Sequence, residues 1–86
     1  MDVSFAPQFR RQFKKITSKL QEETLEKIEL FSNSDQHASL HVHKLKGKME
    51  GRWSFSVNYR YRVVFTWERH NESAILLAIG DHSIYE

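Results

Sequence analysis

The stretch from Gly51 to Trp67 constrains this chain more than any other, because it reads as two β-strands folded back on each other near Asn58 to Arg60. In the first strand Trp53, Phe55, Val57 and Tyr59 alternate with Ser54, Ser56 and Asn58. In the second, Tyr61, Val63, Phe65 and Trp67 alternate with Arg62, Val64 and Thr66. Successive strand side chains point to opposite faces, so the hairpin should have one apolar and one polar face. The apolar face needs a cover. The other face, with an arginine beside small hydroxyls, is suited to a polar ligand.

The cover is predicted upstream. Val3 and Phe5 alternate with Asp2 and Ser4 as a short first strand, and Pro7 marks the entry to a helix because its missing N–H is one the first turn leaves unpaired anyway. Phe9, Phe13 and Ile16 then recur at helical spacing, with Arg10, Arg11, Lys14 and Lys15 outside the stripe. Thr17 or Ser18 can cap a second helix, Ser18 and Gln21 standing at capping-box spacing. Leu20, Leu25, Ile28 and Phe31 form its apolar side, broadened by Leu30, and Glu22, Glu23, Glu26 and Glu29 form a solvated acidic side. A polar connector over residues 32–39 ends the helical pair. Gly47 and Gly51 bracket a short loop that delivers the chain into the hairpin, and residues 74–79, apolar throughout, read as a central strand or one paired on both edges. The expected fold is α+β: a small antiparallel sheet of about four strands with two N-terminal helices on one face, in the order β-α-α-β-β-β. At 86 residues the whole chain, 1–86, is one domain.

Composition narrows the function classes. The chain has no Cys, which removes disulfide and thiolate chemistry and fits a cytoplasmic protein. It has no apolar run long enough to span a membrane, no glycine-rich nucleotide loop and no serine-centred hydrolase turn. Charge is segregated. Residues 41–62 carry six Lys or Arg against Glu50 alone, whereas the rest of the chain has seven against ten acids. Such a basic segment attracts polyanions while the whole stays near neutral.

Strand parity places His82 with Gly80 and Ala78, two small residues that leave space before it. If that face is the one bearing Arg62, Ser54 and Ser56, imidazole and guanidinium share a groove, with His43 at its rim. These groups fit RNA phosphodiester cleavage, in which the 2′-hydroxyl needs a base, the phosphate needs positive charge and the departing 5′ oxygen needs a proton. The route requires no metal or other cofactor. His41 and His43 form a His-x-His pair, but the remaining histidines are scattered, so a zinc site is not expected. Lys44, Lys46, Lys48, Arg52 and Arg60 are candidates for holding the RNA backbone, and Tyr85 for stacking on a base or pinning the tail to the core.

Taken together, His43-Lys-Leu-Lys-Gly47, Gly51-Arg-Trp-Ser-Phe-Ser-Val57, Tyr61-Arg-Val-Val-Phe65 and Ile79-Gly-Asp-His82 with Tyr85 resemble the RelE/ParE superfamily of bacterial toxin–antitoxin toxins. The resemblance spans nearly the whole chain. It implies a compact sheet with two N-terminal helices and, for most of the superfamily, messenger RNA cleavage on the ribosome. The first and last motifs look most like the YafQ-type ribonucleases, which puts functional histidines at His43 and His82. The Tyr-Arg-Val-Val-Phe motif matches the strand that carries a phosphate-stabilising arginine in RelE and YoeB, here Arg62. The resemblance also implies a cognate antitoxin, expected to cover the basic groove around Lys46 and Arg52. Where YafQ-like toxins have a hairpin histidine and an aspartate, this chain has Ser56 and Arg60. Two other readings therefore stand beside the nuclease: a ParE-like gyrase-binding toxin, and an inactive module that keeps the fold.

Overall fold

The first apolar stripe does what its spacing requires. In the computed structural model, which describes residues 1–33, 37–70 and 72–81, strand β1 (Asp2–Phe5) leads through Ala6 into helix α1 (Pro7–Lys15), with Pro7 in its first turn. Phe9 is buried, and its ring packs between those of Phe5 and Phe13 at centroid distances of 5.5 and 6.0 Å. Helix α2 (Ser18–Ser32) is capped by Thr17, whose Oγ1 accepts from the Leu20 N–H at 3.2 Å. Gln21 does not complete a capping box. Its Nε2 donates instead to the Phe13 carbonyl at 2.9 Å, tying the end of α1 to the start of α2. Nor does Leu25 join the core. It is 54% exposed, and the neighbouring Thr24 is buried in its place, with its hydroxyl satisfied by the Leu20 carbonyl at 2.7 Å.

Beyond the helices come a 3₁₀ turn (Ala38–Leu40), the two-residue strand β2 (His43–Lys44), a second 3₁₀ turn (Gly47–Met49), then β3 (Trp53–Ser56), β4 (Arg62–Glu68) and β5 (Ser73–Gly80). The sheet order is β1-β5-β4-β3-β2. Layers and element order agree with the sequence expectation, with two differences. β2 adds a fifth, edge strand, pairing antiparallel with β3, and β1 runs parallel to β5, so the sheet is mixed. Parallel pairing follows from the route: α1 and α2 cross the sheet between β1 and the hairpin, as a crossover must.

The helix-facing side of the sheet holds the main core. Phe31 of α2 is fully buried, with its ring 4.6 Å from those of Phe55 and Phe65 and 5.8 Å from Trp67. His37 stacks on Phe31 at 5.0 Å and its Nε2 donates to the Phe31 carbonyl at 2.8 Å, so this histidine seals the core. A bulge in β5 lets one strand serve both faces. Val64 pairs with Ala78 and Phe65 with Leu76, which leaves Leu77 as the extra residue, so Leu76 and Ile79, three apart, both enter the main core. α1 reaches the part of β5 that β1 leaves uncovered, where Gln12 Oε1 accepts from the Ile79 N–H at 2.9 Å.

The opposite face is less open than the alternation of the hairpin implies. Leu45 and Met49 from the loop before β3 fold over it, burying Val64 and packing on Ala78 and Leu77, and Ser54 is fully buried. Gly47 and Gly51, at φ of +69° and +86°, make the turns that bring this loop back across the sheet. Among the described residues, this cluster does not extend to Ser56 and Arg62 at the turn end of that face.

Candidate functional site

That end of the sheet face is built by the hairpin turn. Asn58 Oδ1 accepts from the backbone N–H groups of Arg60 and Tyr61 at 2.9 and 2.8 Å, an arrangement by which an asparagine substitutes for a backbone turn. The Val57 N–H donates to the Tyr61 carbonyl at 3.0 Å and closes the loop. Arg62 starts β4 opposite Ser56, one register step from the Phe55 and Val63 pair. It therefore lies on the face away from Trp53, Phe55, Val63 and Phe65, as parity requires. Its Nη1 donates to the Asn58 carbonyl at 2.8 Å, so the guanidinium is held against the turn by the residue that shapes it.

β2 pairs only with Trp53 and Ser54, so β3 outruns it. A cleft of about 660 Å³ opens there, between α2, the Ala38–Leu40 turn and the hairpin tip, and its lining includes Arg62, Ser56, Asn58, Tyr59, His41 and Lys27. His41 adopts φ of +55°, uncommon for a residue with a side chain, as the chain leaves the 3₁₀ turn for β2. The His41 carbonyl lies 2.8 Å from His43 Nδ1. Because a carbonyl only accepts, Nδ1 carries the proton, and a neutral His43 presents the lone pair of Nε2 outward.

The site residues expected from sequence are distributed unevenly around this cleft. Arg62 and Ser56 line it. His43 pairs in register with Ser54 and so shares their face, but it stands on the edge strand and is exposed. Two strand spacings and two residues separate it from Arg62, roughly 12 Å between backbones, so the two stand on opposite sides of β3. Lys44, Lys46, Lys48 and Arg52 are exposed along the loop that covers Val64, and Arg60 is exposed at the tip with its guanidinium 5.9 Å from the centroid of the Tyr61 ring. Gly80 and Ala78 are the register partners of Arg62 and Val64. His82 and Tyr85 lie outside the described residues. Among the described residues, no group of three His, Asp or Glu side chains is close enough to share a metal ion. No helix among them is long and apolar enough to cross a membrane.

A family model described as the RelE-like toxin of the type II toxin–antitoxin system HigB matches residues 6–82. The chain belongs to this toxin family. Solved structures repeat the fold at low identity. YafQ from E. coli strain BL21(DE3) is 14% identical with a TM-score of 0.78, covering 98% of this chain and 96% of its own. The toxin–antitoxin complex RelBE2 from Mycobacterium tuberculosis is 16% identical at 0.75, covering 94% and 96%. The heterotetrameric YoeB–YefM complex from Staphylococcus aureus is 18% identical at 0.71, covering 95% and 97%. No curated protein sequence matches the chain.

Two cleft residues of the toxin escape the sequence reading. Tyr59 continues the apolar alternation of β3 and is expected in the core, yet it is 91% exposed, because β3 ends at Ser56 and the turn carries residue 59 off the sheet. Lys27 belongs to α2, among its glutamates. The signal for it is Leu30, which broadens the helix stripe: a residue three positions earlier shares that side, and both line the cleft.

Proposed function

We propose that this toxin is an endoribonuclease that cleaves messenger RNA, on the ribosome, and is silenced by a cognate antitoxin. The observation that supports the reading most directly is the position of Arg62, on the strand face away from the aromatic core, in a cleft that Lys27, His41 and Ser56 also line. Arginine keeps its charge and grips phosphate oxygens through a fork of donors, which stabilises the extra negative charge of a five-coordinate phosphorus. His43, with Nε2 outward, takes the proton from the 2′-hydroxyl as that oxygen attacks the adjacent phosphorus. His82 supplies a proton to the departing 5′ oxygen, leaving a 2′,3′-cyclic phosphate on one product and a 5′-hydroxyl on the other. Lys44, Lys46, Lys48, Arg52 and Arg60 hold the flanking phosphates, with Tyr85 against a base. The solved toxin–antitoxin complexes support a protein partner as well. An antitoxin segment with carboxylates fits the loop around Lys46 and Arg52.

The test is primer extension on messages from cells expressing the toxin. Discrete cleavage products should appear together with growth arrest, and should fall by about 10²–10³-fold in Arg62→Ala, the range for removing a donor to a developing oxyanion. His82→Ala should behave similarly. Variants that stay folded by circular dichroism and fully toxic would overturn the assignment, and DNA damage with intact messages would replace it with gyrase inhibition.

A further inference from the structure

Resting on the ribonuclease reading, we propose that the cleft between α2 and the hairpin tip is a nucleotide subsite beside the scissile phosphate. In it Tyr59 stacks on a base and Lys27 pairs with the neighbouring phosphate. The most exposed large apolar side chain described in the toxin stands at this cleft: Tyr59 is 91% exposed, against 54% for Leu25 and 37% for Met1. An aromatic ring is a poor choice for a turn on structural grounds, since the turn is already made by Asn58 and gains nothing from residue 59. The same two bonds fix the backbone that carries the ring, so little ordering entropy remains to be lost when a base is bound. Any base offers a π-face, which makes such a platform tolerant of sequence.

Lys27 approaches from a different element. It lines the cleft from α2 while Arg62 lines it from β4, so a strand of RNA held between them meets a cation on each wall. The volume of about 660 Å³ lies within the range of small-molecule clefts, about 300–1,000 Å³. The His41 side chain adds a ring that can hydrogen-bond to a sugar or a base edge. Helix α2 thus supplies part of the substrate site as well as the cover of the core.

The experiment uses Tyr59→Trp in the full chain, titrated with a 2′-O-methyl hexanucleotide that binds without being cleaved. Added indole emission, taken as the difference from the parent with its Trp53 and Trp67, should be quenched saturably. In otherwise unchanged protein, Tyr59→Ala and Tyr59→Leu should weaken oligonucleotide binding about tenfold while Tyr59→Phe holds it, because stacking requires the ring and not the hydroxyl. Lys27→Ala should lower the slope of log K against log salt by about 0.7, the value for one phosphate contact on a single strand. No quenching, or Tyr59→Leu binding as tightly as the parent, overturns the subsite even if Arg62-dependent cleavage stands. Quenching without any cleavage would sink the nuclease and keep the subsite. If Tyr59→Ala loses the co-expressed antitoxin and keeps its affinity for the oligonucleotide, the tip serves the protein partner and the proposal fails.

Discussion

The base of the hairpin is sealed and its tip is open, although the same two strands run through both. At the base, Trp53 and Trp67 meet edge to face at 6.1 Å, Phe31 and His37 lie over Phe65 and Trp67, and β2 covers the flank of β3. At the tip β2 has ended, the loop carrying Leu45 and Met49 covers the neighbouring Val64, Ala78 and Leu77, and Arg62 lines a cleft. The rigid end lets the other remain uncovered. Aromatic burial at the base supplies stability that the tip does not have to provide, which leaves the ring of Tyr59 exposed there.

Substitutions along this gradient should lose stability in order. Phe31→Ala should cost the most, about 3–5 kcal/mol by urea denaturation, because it empties a site touching three strand aromatics. A cost below that of the other variants would mean that the base is not the stable end. Leu45→Ala should cost about 2 kcal/mol, since its cluster is small and lies near the surface. It should also loosen the loop bearing Lys44, Lys46 and Lys48 and weaken RNA binding, and an unchanged affinity would show that the loop does not depend on this anchor. Asn58→Ala removes two side-chain bonds of the turn and should cost about 1 kcal/mol. Its effect on cleavage should exceed its effect on stability, because Arg62 is anchored to the same turn. Proportionate losses of cleavage and stability would remove the distinction between the two ends. Tyr59→Ala should change stability by no more than about 0.5 kcal/mol, and a larger loss would reveal packing at the tip.

Parity made the hairpin readable: the facing of Arg62 and the burial of Phe55, Val63 and Phe65 follow from alternation alone. It stops being informative where strands stop or slip. Tyr59 keeps the alternation but lies past the last strand residue, and residues 74–79 are apolar at every position, so nothing in them marks the bulge that turns Leu76 and Ile79 to one side. The small core under Leu45 and Met49 depends on two glycine turns folding a loop back over the sheet, a tertiary choice that local pattern does not encode. The same holds for the parallel pairing of β1. Of the candidate site, Arg62 and the cations were legible as residue types, whereas Lys27 is signalled only by Leu30 on the same side of α2 and His41 joins the cleft through the 3₁₀ turn.

The position of β5 between β1 and β4 bears on how the toxin is made. Its residues pair at once with the first strand, some seventy positions earlier, and with the hairpin. Until residues 73–80 have left the ribosome, β1 has no neighbour and β4 has one open side, so the earlier segments cannot settle into the finished sheet. At synthesis rates of about 5–20 residues per second the incomplete chain persists for seconds. During that interval the hairpin lacks the strand that backs Arg62, and a cell translating the toxin carries a nascent chain without a finished site.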